Sequence, residues 1–425
     1  MGMGAGGMNF HHRYNCRLCG RKNIERVVAL DPIPLPRFHD TREAAIAEPL
    51  VPIDLYMCSD CGHVQQLDIP EDVWDGYTYH NTQSKVMLKH FAESAAKIIE
   101  RYAPPPGSLV IDIGSNDGSF LRHFKDAGYR VLGVELVKEI AEEATRNGID
   151  TVGEPLSYAV ARSIRERYGA ASLVLAFNVF AHTDDLNDMM RGVQVLLDKN
   201  GLFVFEAQYL MDVVQKTLLA TIFHEHLSHH SVKAMSLFLS QYFMQIVDVE
   251  RVPVQHGSII GYVQFAGGPR TPKLSSVHLL ALEEALHLGS LNKIREFGGQ
   301  IAELRKSVSS FLKEAKNGGA KIAAFGAARS GPGLISMLGL SGLMDCIFDD
   351  HPQKIGKFCA GDGLQIKPTS ELLEMMPDYT VMLAWVPAEQ IMEANNEYLR
   401  RGGKFIVLCP NFRVVSAAHE MAVAA

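Results

Sequence analysis

Two pairs of cysteines near the start of the chain have the spacing of metal ligands. They form two C-x-x-C motifs, each followed by a glycine: Cys16 with Cys19, and Cys58 with Cys61. Glycine there permits a left-handed turn, which frees backbone N–H groups to donate to sulfur. Four thiolates fill a tetrahedral zinc site and leave no place for water, so we expect a structural zinc ion. The alternative, two redox dithiols, lacks the strand–helix context of a thioredoxin motif. We expect His63 at the surface.

A second group of polar residues follows an apolar segment of strand length at 108–111. Gly114 and Gly118 allow a ligand to approach the backbone closely, and Asp117 makes the turn between them acidic. A carboxylate repels a pyrophosphate but attracts the ammonium group of S-adenosylmethionine, so the turn favours a methyl donor over a dinucleotide. The next apolar segment ends on Glu135, which can accept from both ribose hydroxyls.

A dense histidine cluster lies further along the chain. It is His224-Glu225-His226, followed by His229 and His230. A metalloprotease motif is excluded because H-E-x-x-H requires a histidine where Ser228 stands. A second metal site, surface polarity and a general base beside the cofactor remain as alternatives. A base is needed to methylate carbon, since the carbon must first become an enolate, and an imidazole paired with a carboxylate can take that proton.

Asn178 and His182 follow another apolar segment, 171–177, where reacting groups collect in a parallel α/β sheet. A structural histidine at this position is the alternative.

The elements that position these residues indicate an α/β protein of several domains. A chain of 425 residues is too long to fold around a single hydrophobic core. We predict a small zinc-binding module, a central Rossmann-like class I methyltransferase domain and a second Rossmann-like domain joined by helices. The predicted boundaries are a disordered tail at 1–12, the zinc module at 13–75, the methyltransferase domain at 76–270, linker helices at 271–317 and the C-terminal domain at 318–425.

Composition and charge limit the partners. The apolar fraction is 47%, the charged fraction 21% and the net charge −7, which leaves no basic field for a nucleic acid. The sequence has no apolar run of roughly 18 residues, the length that crosses a bilayer. We therefore expect a cytoplasmic protein that binds a small-molecule substrate, without nucleic acid or membrane, as a monomer or homodimer.

The C-terminal half begins a second, incomplete Rossmann unit at 321–326. Gly326 precedes a helix whose N–H groups suit a diphosphate, and the next strand ends on Asp349 and Asp350. A degenerate nucleotide-binding fold and an oligomerisation domain are the alternatives. Lys354 and Lys357 lie in a following loop, either beside the nucleotide or in a solvated turn.

Several motifs together resemble the sugar C-methyltransferases of deoxysugar pathways, the dTDP-3-amino-4-keto-sugar C-3′ methyltransferases. The resemblance covers nearly the whole chain after the tail. Its motifs are the two C-x-x-C pairs, Tyr-x-Tyr-x-x-x-x-Ser at 77–84, Ile-Gly-Ser-Asn-Asp-Gly at 113–118, Asn-Val-x-Ala-His at 178–182, Phe-His-Glu-His-Leu at 223–227, and Phe-Gly-Ala-Ala from 325.

The resemblance implies roles for individual residues. His226 is implied as the base, with Glu225 orienting it and Tyr79 and His182 stabilising the enolate oxygen. The cofactor would be held by Asp112, Gly114, Asn116, Asp117, Gly118, Glu135 and Asn178. The substrate would contact Tyr77, His224, Gly326, Arg329, Asp349 and Lys357. The implied substrate is a dTDP-linked 4-keto-deoxysugar.

Three positions depart from the family pattern. Phe223 replaces a tyrosine, Arg329-Ser330 replaces the usual x-Lys pair, and Val386 replaces an asparagine. These changes affect the sugar and the nucleotide more than the methyl chemistry. The alternative functions are an O- or N-methyltransferase for another metabolite and a non-catalytic protein that binds S-adenosylmethionine.

Overall fold

The computed structural model describes residues 2–3, 9–71, 73–74, 77, 79–417 and 420–422. Within these ranges no helix is both long enough and apolar enough to span a bilayer.

The N-terminal module consists of short strands and one short helix. Its elements are β1 (Gly2–Met3), β2 (Asn9–His12), β3 (Ile24–Val28), β4 (Ile33–Pro34), β5 (Phe38–His39), α1 (Arg42–Ile46), β6 (Leu50–Val51), β7 (Leu55–Cys58), β8 (Val64–Gln65) and β9 (Asp68–Pro70). The predicted tail extends too far, because Asn9–His12 pairs antiparallel with Asp68–Pro70, with His11 opposite Ile69. Positions 1 and 4–8 of that tail lie outside the described residues.

The central domain is a seven-stranded sheet with helices on both faces. Its elements are α2 (Lys85–Tyr102), β10 (Leu109–Ile113), α3 (Ser119–Asp126), β11 (Arg130–Val134), α4 (Lys138–Arg146), β12 (Thr151–Val152), α5 (Tyr158–Tyr168), β13 (Ala171–Phe177), α6 (Leu186–Leu196), β14 (Leu197–Gln208), α7 (Leu210–Gln215), β15 (Ser228–His229), α8 (Val232–Ser240), β16 (Met244–Val252) and β17 (Ser258–Phe265).

The strand order of this sheet is β12-β11-β10-β13-β14-β17-β16, and β17 runs antiparallel to its two neighbours, β14 and β16. The order reverses between β10 and β13, so ligands bind at the carboxyl ends of these strands. Strand β10 is buried at every position, as expected for a parallel strand covered on both faces. The predicted Rossmann-like methyltransferase fold is confirmed.

Two linker helices, α9 (Leu274–Ala285) and α10 (Leu291–Asn317), connect the domains. Helix α10 begins at the N-cap Ser290, whose side chain accepts from the N–H of Lys293. Its apolar face is buried along Ile294, Phe297, Ile301, Val308 and Leu312. Helix α10 lies against β3 of the N-terminal module, so it also contacts a domain that it does not join.

The C-terminal domain repeats the doubly wound architecture. Its elements are β18 (Ile322–Phe325), α11 (Gly331–Met337), β19 (Ile347–Phe348), β20 (Phe358–Cys359), β21 (Ile366–Lys367), α12 (Leu372–Met375), β22 (Tyr379–Met382), α13 (Ala388–Ala394), α14 (Asn396–Arg400), β23 (Lys404–Val407), β24 (Arg413–Val415) and β25 (Glu420–Ala422). The order is β21-β19-β18-β22-β23-β24-β25, and the first five strands are parallel.

Two strand pairs join the N-terminal module to the other domains. Strand β15 of the central domain extends the sheet β8-β7-β3, and β20 of the C-terminal domain pairs with β5. The module therefore contacts both larger domains through backbone hydrogen bonds as well as side chains.

Candidate functional site

The four cysteines of the C-x-x-C motifs meet at one point. Their sulfur atoms all lie within 4.8 Å of one another, and Cys16–Cys61 and Cys19–Cys58 are each 3.6 Å apart. Ligands about 2.3 Å from a tetrahedral zinc ion stand about 3.8 Å from each other, so the geometry fits zinc. A disulfide would require sulfur atoms about 2.05 Å apart. The set is closed by four thiolates, as a structural site requires.

The prediction that His63 lies at the surface is wrong. Its side chain is fully buried, its Nε2 lies 3.1 Å from the Ser228 hydroxyl, and its ring stacks on His230 at 5.5 Å. The residues of β15 cover it, because that strand completes the module's sheet. Sequence reasoning had no indication that a segment 165 residues away would do so.

The glycine turn after β10 has the predicted form. Gly114 has a φ of +69°, and a Cβ atom there would lie 2.5 Å from a methyl carbon of Val179. Asp112, at the end of β10, is buried, and its Oδ1 has no hydrogen-bond partner among the described residues. Burial and the nearby Glu135 raise the pKa of Asp112 to about 8. An acceptor without a partner fits a ligand that donates hydrogen bonds or carries a positive charge.

Glu135 holds the glycine turn against the end of β11. Its two carboxylate oxygens accept from the backbone N–H groups of Asn116 and Val137, each at 2.9 Å. Burial raises the pKa of Glu135. Asn178 is in the left-handed region at the end of β13, and its amide donates to Glu206. The three strand ends thus place Asp112, Glu135 and Asn178 at the edge where the sheet order reverses.

The rest of the turn is hydrogen-bonded to the segment that carries Tyr79. Asp117 accepts from the N–H of Thr82 at 2.8 Å and from that of Ser119 at 3.1 Å. Asn116 accepts from Asn81 and donates to the carbonyl of Tyr79, each at 3.0 Å. Gly118 has a φ of +76°. A contact of Asp117 with an ammonium group stays a prediction, and such a contact would share oxygens that already accept two hydrogen bonds.

His226 is held in one tautomer by the backbone. Its Nδ1 lies 2.7 Å from the carbonyl oxygen of Thr221, which can only accept, so Nδ1 carries the hydrogen and Nε2 carries the lone pair. The ring stands 5.1 Å from the His182 ring and 4.1 Å from that of Phe223. Burial lowers the pKa of His226 to about 4, so the imidazole is neutral near pH 7.

The resemblance implied that Glu225 orients His226, but the carboxylate of Glu225 has a different partner. Its carboxylate forms an ion pair with the guanidinium of Arg329, from the loop after β18. Arg329 also donates to the carbonyl of Val73 and lies 4.8 Å from the Tyr77 ring centroid. The orienting contact comes from Thr221 instead, a residue that no sequence motif indicated. The ion pair between Glu225 and Arg329 therefore links the C-terminal domain to the histidine segment.

Aromatic side chains form one wall of the site. Trp74 lies 5.4 Å from the His182 ring and 5.3 Å from that of Tyr77, and Tyr77 lies 6.5 Å from Tyr79. Burial raises the pKa of Tyr77, and it raises that of Tyr79 to about 12, so both phenols keep their protons. Burial and His226 lower the pKa of His182 well below its ordinary value. Sequence reasoning missed Trp74.

His224 lies away from this wall. Its ring is fully buried, and its Nε2 lies 3.2 Å from the carbonyl oxygen of Val51 in β6. His224 therefore supports the histidine segment, and the predicted contact with substrate does not fit its position. His229 and His230 are likewise buried.

The first turn of the C-terminal sheet differs from the prediction in one respect. Gly326 has a φ of +88°, but its N–H donates to the carbonyl of Phe348 at 2.7 Å. The following N–H, of Ala327, donates to Asp349 at 2.7 Å. These two N–H groups are already used within the domain and do not face a diphosphate as expected. The positive charges near the turn belong instead to the side chains of Arg329 and Lys354.

Two lysines lie near that turn at different depths. Lys354 donates to the carbonyl of Ala327 at 3.0 Å and stands 5.1 Å from the Phe38 ring, so it belongs to the loop rather than to a solvated turn. Lys357 is 3.7 Å from Asp40 of the N-terminal module.

Three family models match successive parts of the chain. Residues 16–72 match a "Putative zinc binding domain", residues 87–246 a "Methyltransferase domain", and residues 253–410 a "C-methyltransferase C-terminal domain". The chain is 30% identical over 407 residues to the C-methyltransferase NovU of Streptomyces niveus. This match covers 95% of the chain and 97% of NovU.

Solved structures similar to the chain cover less than half of it. Magnesium protoporphyrin IX methyltransferase (ChlM) from Synechocystis PCC 6803, with bound SAH, covers 45% of this chain and 91% of its own, at 16% identity and a TM-score of 0.34. The PH0226 protein from Pyrococcus horikoshii OT3 covers 46% of this chain and 98% of its own, at 15% identity and a TM-score of 0.37.

Proposed function

Because the chain belongs to the C-methyltransferase family, we propose that it methylates the carbon next to the ketone of a nucleotide-linked 4-keto-deoxysugar. The observation that carries this proposal is the state of His226. Its Nδ1–H donates a hydrogen bond to the carbonyl oxygen of Thr221, and its ring is neutral. No described residue forms a hydrogen bond with its Nε2. A neutral imidazole with a free lone pair, held in a buried site, is suited to remove a proton from carbon.

The enzyme uses S-adenosylmethionine as methyl donor and carries a structural zinc ion. When bound, S-adenosylmethionine supplies an electrophilic methyl group on a positively charged sulfur. Oxygen and nitrogen acceptors already have lone pairs, whereas a C–H carbon must first lose its proton. The need for a base therefore separates the proposed reaction from O- and N-methylation.

In the proposed mechanism His226 Nε2 takes the proton next to the ketone, and the electron pair of that C–H bond moves toward the carbonyl oxygen. Tyr79 and His182 stabilise the resulting enolate oxygen. Each is neutral and so has a hydrogen to donate: the pKa of Tyr79 is raised to about 12, and that of His182 is far below its usual value. The enolate carbon is then the nucleophile toward the methyl group.

The nucleotide of the substrate is proposed to lie against the C-terminal domain. The support is charge: Arg329 and Lys354 bring two cations to the loops at the carboxyl end of its sheet, where a diphosphate would bind. Arg329 also contacts Tyr77 and Glu225, so the same guanidinium stands between the nucleotide side and the methyl-transfer side. The choice of dTDP rests on the resemblance described above.

The test is solvent exchange at the reacting carbon. In D2O with S-adenosylhomocysteine, the wild-type enzyme should incorporate deuterium next to the ketone, because the proton leaves before the methyl group arrives. His226→Ala should lose exchange and turnover by about 100- to 10,000-fold while binding S-adenosylhomocysteine normally. His278→Ala, which removes an exposed histidine of α9, is the matched control. Full turnover in His226→Ala would exclude the proposed base.

The substrate is tested by mass spectrometry across dTDP-, GDP- and CDP-linked 4-keto-6-deoxysugars. We expect one methyl group to be added to the dTDP-linked compound. Methylation of an alcohol or amine without deuterium exchange would support the O- or N-methyltransferase alternative instead.

A further inference from the structure

The segment that carries His226 is held from outside its own domain. We call residues 223–229 the base loop. Its end forms β15, and β15 pairs antiparallel with β8 of the N-terminal module, with Ser228 opposite Gln65 and His229 opposite Val64. The base loop thus completes the sheet of the zinc-binding module while its histidine faces the methyltransferase site.

Gln66, the residue after β8, makes the central contacts. Its side-chain amide donates to the carbonyl of Phe223 at 3.1 Å and to that of His226 at 2.9 Å. Its backbone N–H donates to the carbonyl of Leu227 at 2.9 Å. Both side-chain partners are carbonyl oxygens, so the donating atom must be the amide nitrogen. Gln66 is 1% exposed, so water does not replace these bonds.

Arg17 joins Gln66 to the metal site. It lies between Cys16 and Cys19, and its guanidinium donates to the backbone carbonyls of Gln66 and Leu227, each at 3.0 Å. It also forms an ion pair with Asp184 at 3.0 Å. The first C-x-x-C motif therefore contains a side chain, that of Arg17, which contacts both Gln66 and the base loop.

We propose that Gln66 is a positioning residue for methyl transfer, through which the zinc-binding module sets the place of His226. The inference rests on the proposed function of His226 as the base. The bond from Nδ1 to Thr221 fixes the imidazole within its own segment. The contacts of Gln66 fix the base loop relative to the rest of the site. A buried carbonyl that loses its donor is costly, so the loop would shift to find another one. A displacement near 1 Å can lower a rate by about 100-fold.

The test variant is Gln66→Met, which keeps the length of the side chain and removes both donated bonds. Gln194→Met is the matched control, because the Gln194 amide donates to the carbonyl of Tyr242 at 2.7 Å, outside the base loop. Four quantities are measured: deuterium incorporation at the substrate carbon, S-adenosylhomocysteine affinity by calorimetry, zinc content, and backbone hydrogen exchange of the peptide covering 219–230.

For Gln66→Met we expect kcat for deuterium incorporation to fall about 10- to 100-fold, the range for supporting residues around a reactive group. KM, cofactor affinity and zinc content should match wild type, and hydrogen exchange in the base loop should become faster. Gln194→Met should match wild type throughout. If Gln66→Met is recovered unfolded, Gln66→Glu, which keeps the size and removes the same donor, is judged by the same outcomes.

Two results overturn the inference. One is wild-type kcat and wild-type loop exchange in Gln66→Met. The other is a loss of zinc together with the loss of rate, which would make Gln66 a support of the module alone. Failure of the proposed function is distinct: the wild-type enzyme itself, or His226→Ala, would then deviate from the behaviour expected above. In that case faster exchange of the base loop in Gln66→Met still supports the hold on the loop, and unchanged exchange still contradicts it.

Discussion

In both seven-stranded sheets, the glycine after the first strand donates its backbone N–H to the carbonyl at the end of the second strand. In the central sheet, Gly114 donates to the carbonyl of Val134 at 2.7 Å, and Gly326 donates to Phe348 at the same distance in the C-terminal sheet. In each sheet, a carboxylate at the end of the second strand accepts from two backbone N–H groups. Glu135 does this at 2.9 Å in the first, and Asp349 at 2.7 and 2.8 Å in the second.

The two turns differ in their charged side chains, because cations stand near the second turn alongside its carboxylate. Asp112, with one unpartnered oxygen, and Asp117 make the central turn acidic. Arg329 and Lys354 make the C-terminal turn basic. An acidic turn suits a sulfonium and an ammonium group, and a basic turn suits a diphosphate. The backbone of the turn is thus common to both sheets, and the charged side chains around it differ.

The sharpest way to separate the two turns is to add one methyl group to each. Gly114→Ala places a Cβ 2.5 Å from Val179, and Gly326→Ala places one 2.2 Å from the Cβ of Ala384, both at positive φ. We expect Gly114→Ala to weaken S-adenosylhomocysteine binding more than about 100-fold, since steric strain adds to a left-handed backbone cost of about 1–2 kcal/mol. Gly326→Ala should bind it normally and lose turnover. Calorimetry and circular dichroism measure both.

A loss of S-adenosylhomocysteine binding in Gly326→Ala would contradict the comparison, because the two turns would then not serve separate ligands.

Asp112→Asn tests the acidic turn through pH. The pKa of Asp112 rises from 3.8 to about 8 on folding, so the folded protein holds a proton that the unfolded chain has lost. The stabilisation that Asp112 contributes without ligand should therefore fall as pH rises from about 4 to 8, so the stability of wild type relative to Asp112→Asn should fall over this range. A cationic ligand favours the charged carboxylate, so S-adenosylmethionine affinity should increase as pH rises toward 8 in wild type alone. We expect Asp112→Asn to bind about tenfold more weakly at pH 8.

Thermal melts and calorimetry between pH 5 and pH 9 check both effects. Equal pH dependence in wild type and variant would show that another group is responsible.

The sequence predicted the parts of this comparison that depend on local pattern. The strands, the turn at Gly114 and the cysteine set follow from apolar segments, glycine spacing and C-x-x-C motifs, which act over a few residues. Contacts between distant segments could not be read in this way. Thr221, Trp74 and Gln66 have no motif, and their roles arise only when the N-terminal module, the central domain and the base loop come together.

The same limit explains the errors. His63, close in sequence to a zinc ligand, was expected at the surface, and the resemblance implied that Glu225 orients His226. In the structure their environments come from β15 and from Arg329, which lie more than a hundred residues away.

Arg329→Gln tests the basic turn. It removes the ion pair with Glu225 and the contact over the Tyr77 ring, while its amide can still donate to a carbonyl such as that of Val73. A charged hydrogen bond contributes about 1.5–3 kcal/mol, so KM for the nucleotide-linked substrate should rise about tenfold or more. Cofactor affinity should not change. Steady-state kinetics against substrate measure the first, and calorimetry the second. A weaker cofactor affinity with an unchanged KM would place Arg329 on the methyl-donor side.

Lys354→Gln should have the smallest effect, and it decides how far the basic turn extends. Lys354 is half-buried, and burial lowers its pKa while Asp349 raises it. Because its ammonium already donates to Ala327, it contributes a nearby charge rather than a direct contact, and we expect KM to rise only about threefold. The effect should shrink as salt is added, because screening weakens a charge that does not touch the ligand. Lys357→Gln is the matched control, since Lys357 faces Asp40 of the N-terminal module. A larger effect from Lys357 than from Lys354 would move the basic site from the turn after β18 toward the zinc-binding module.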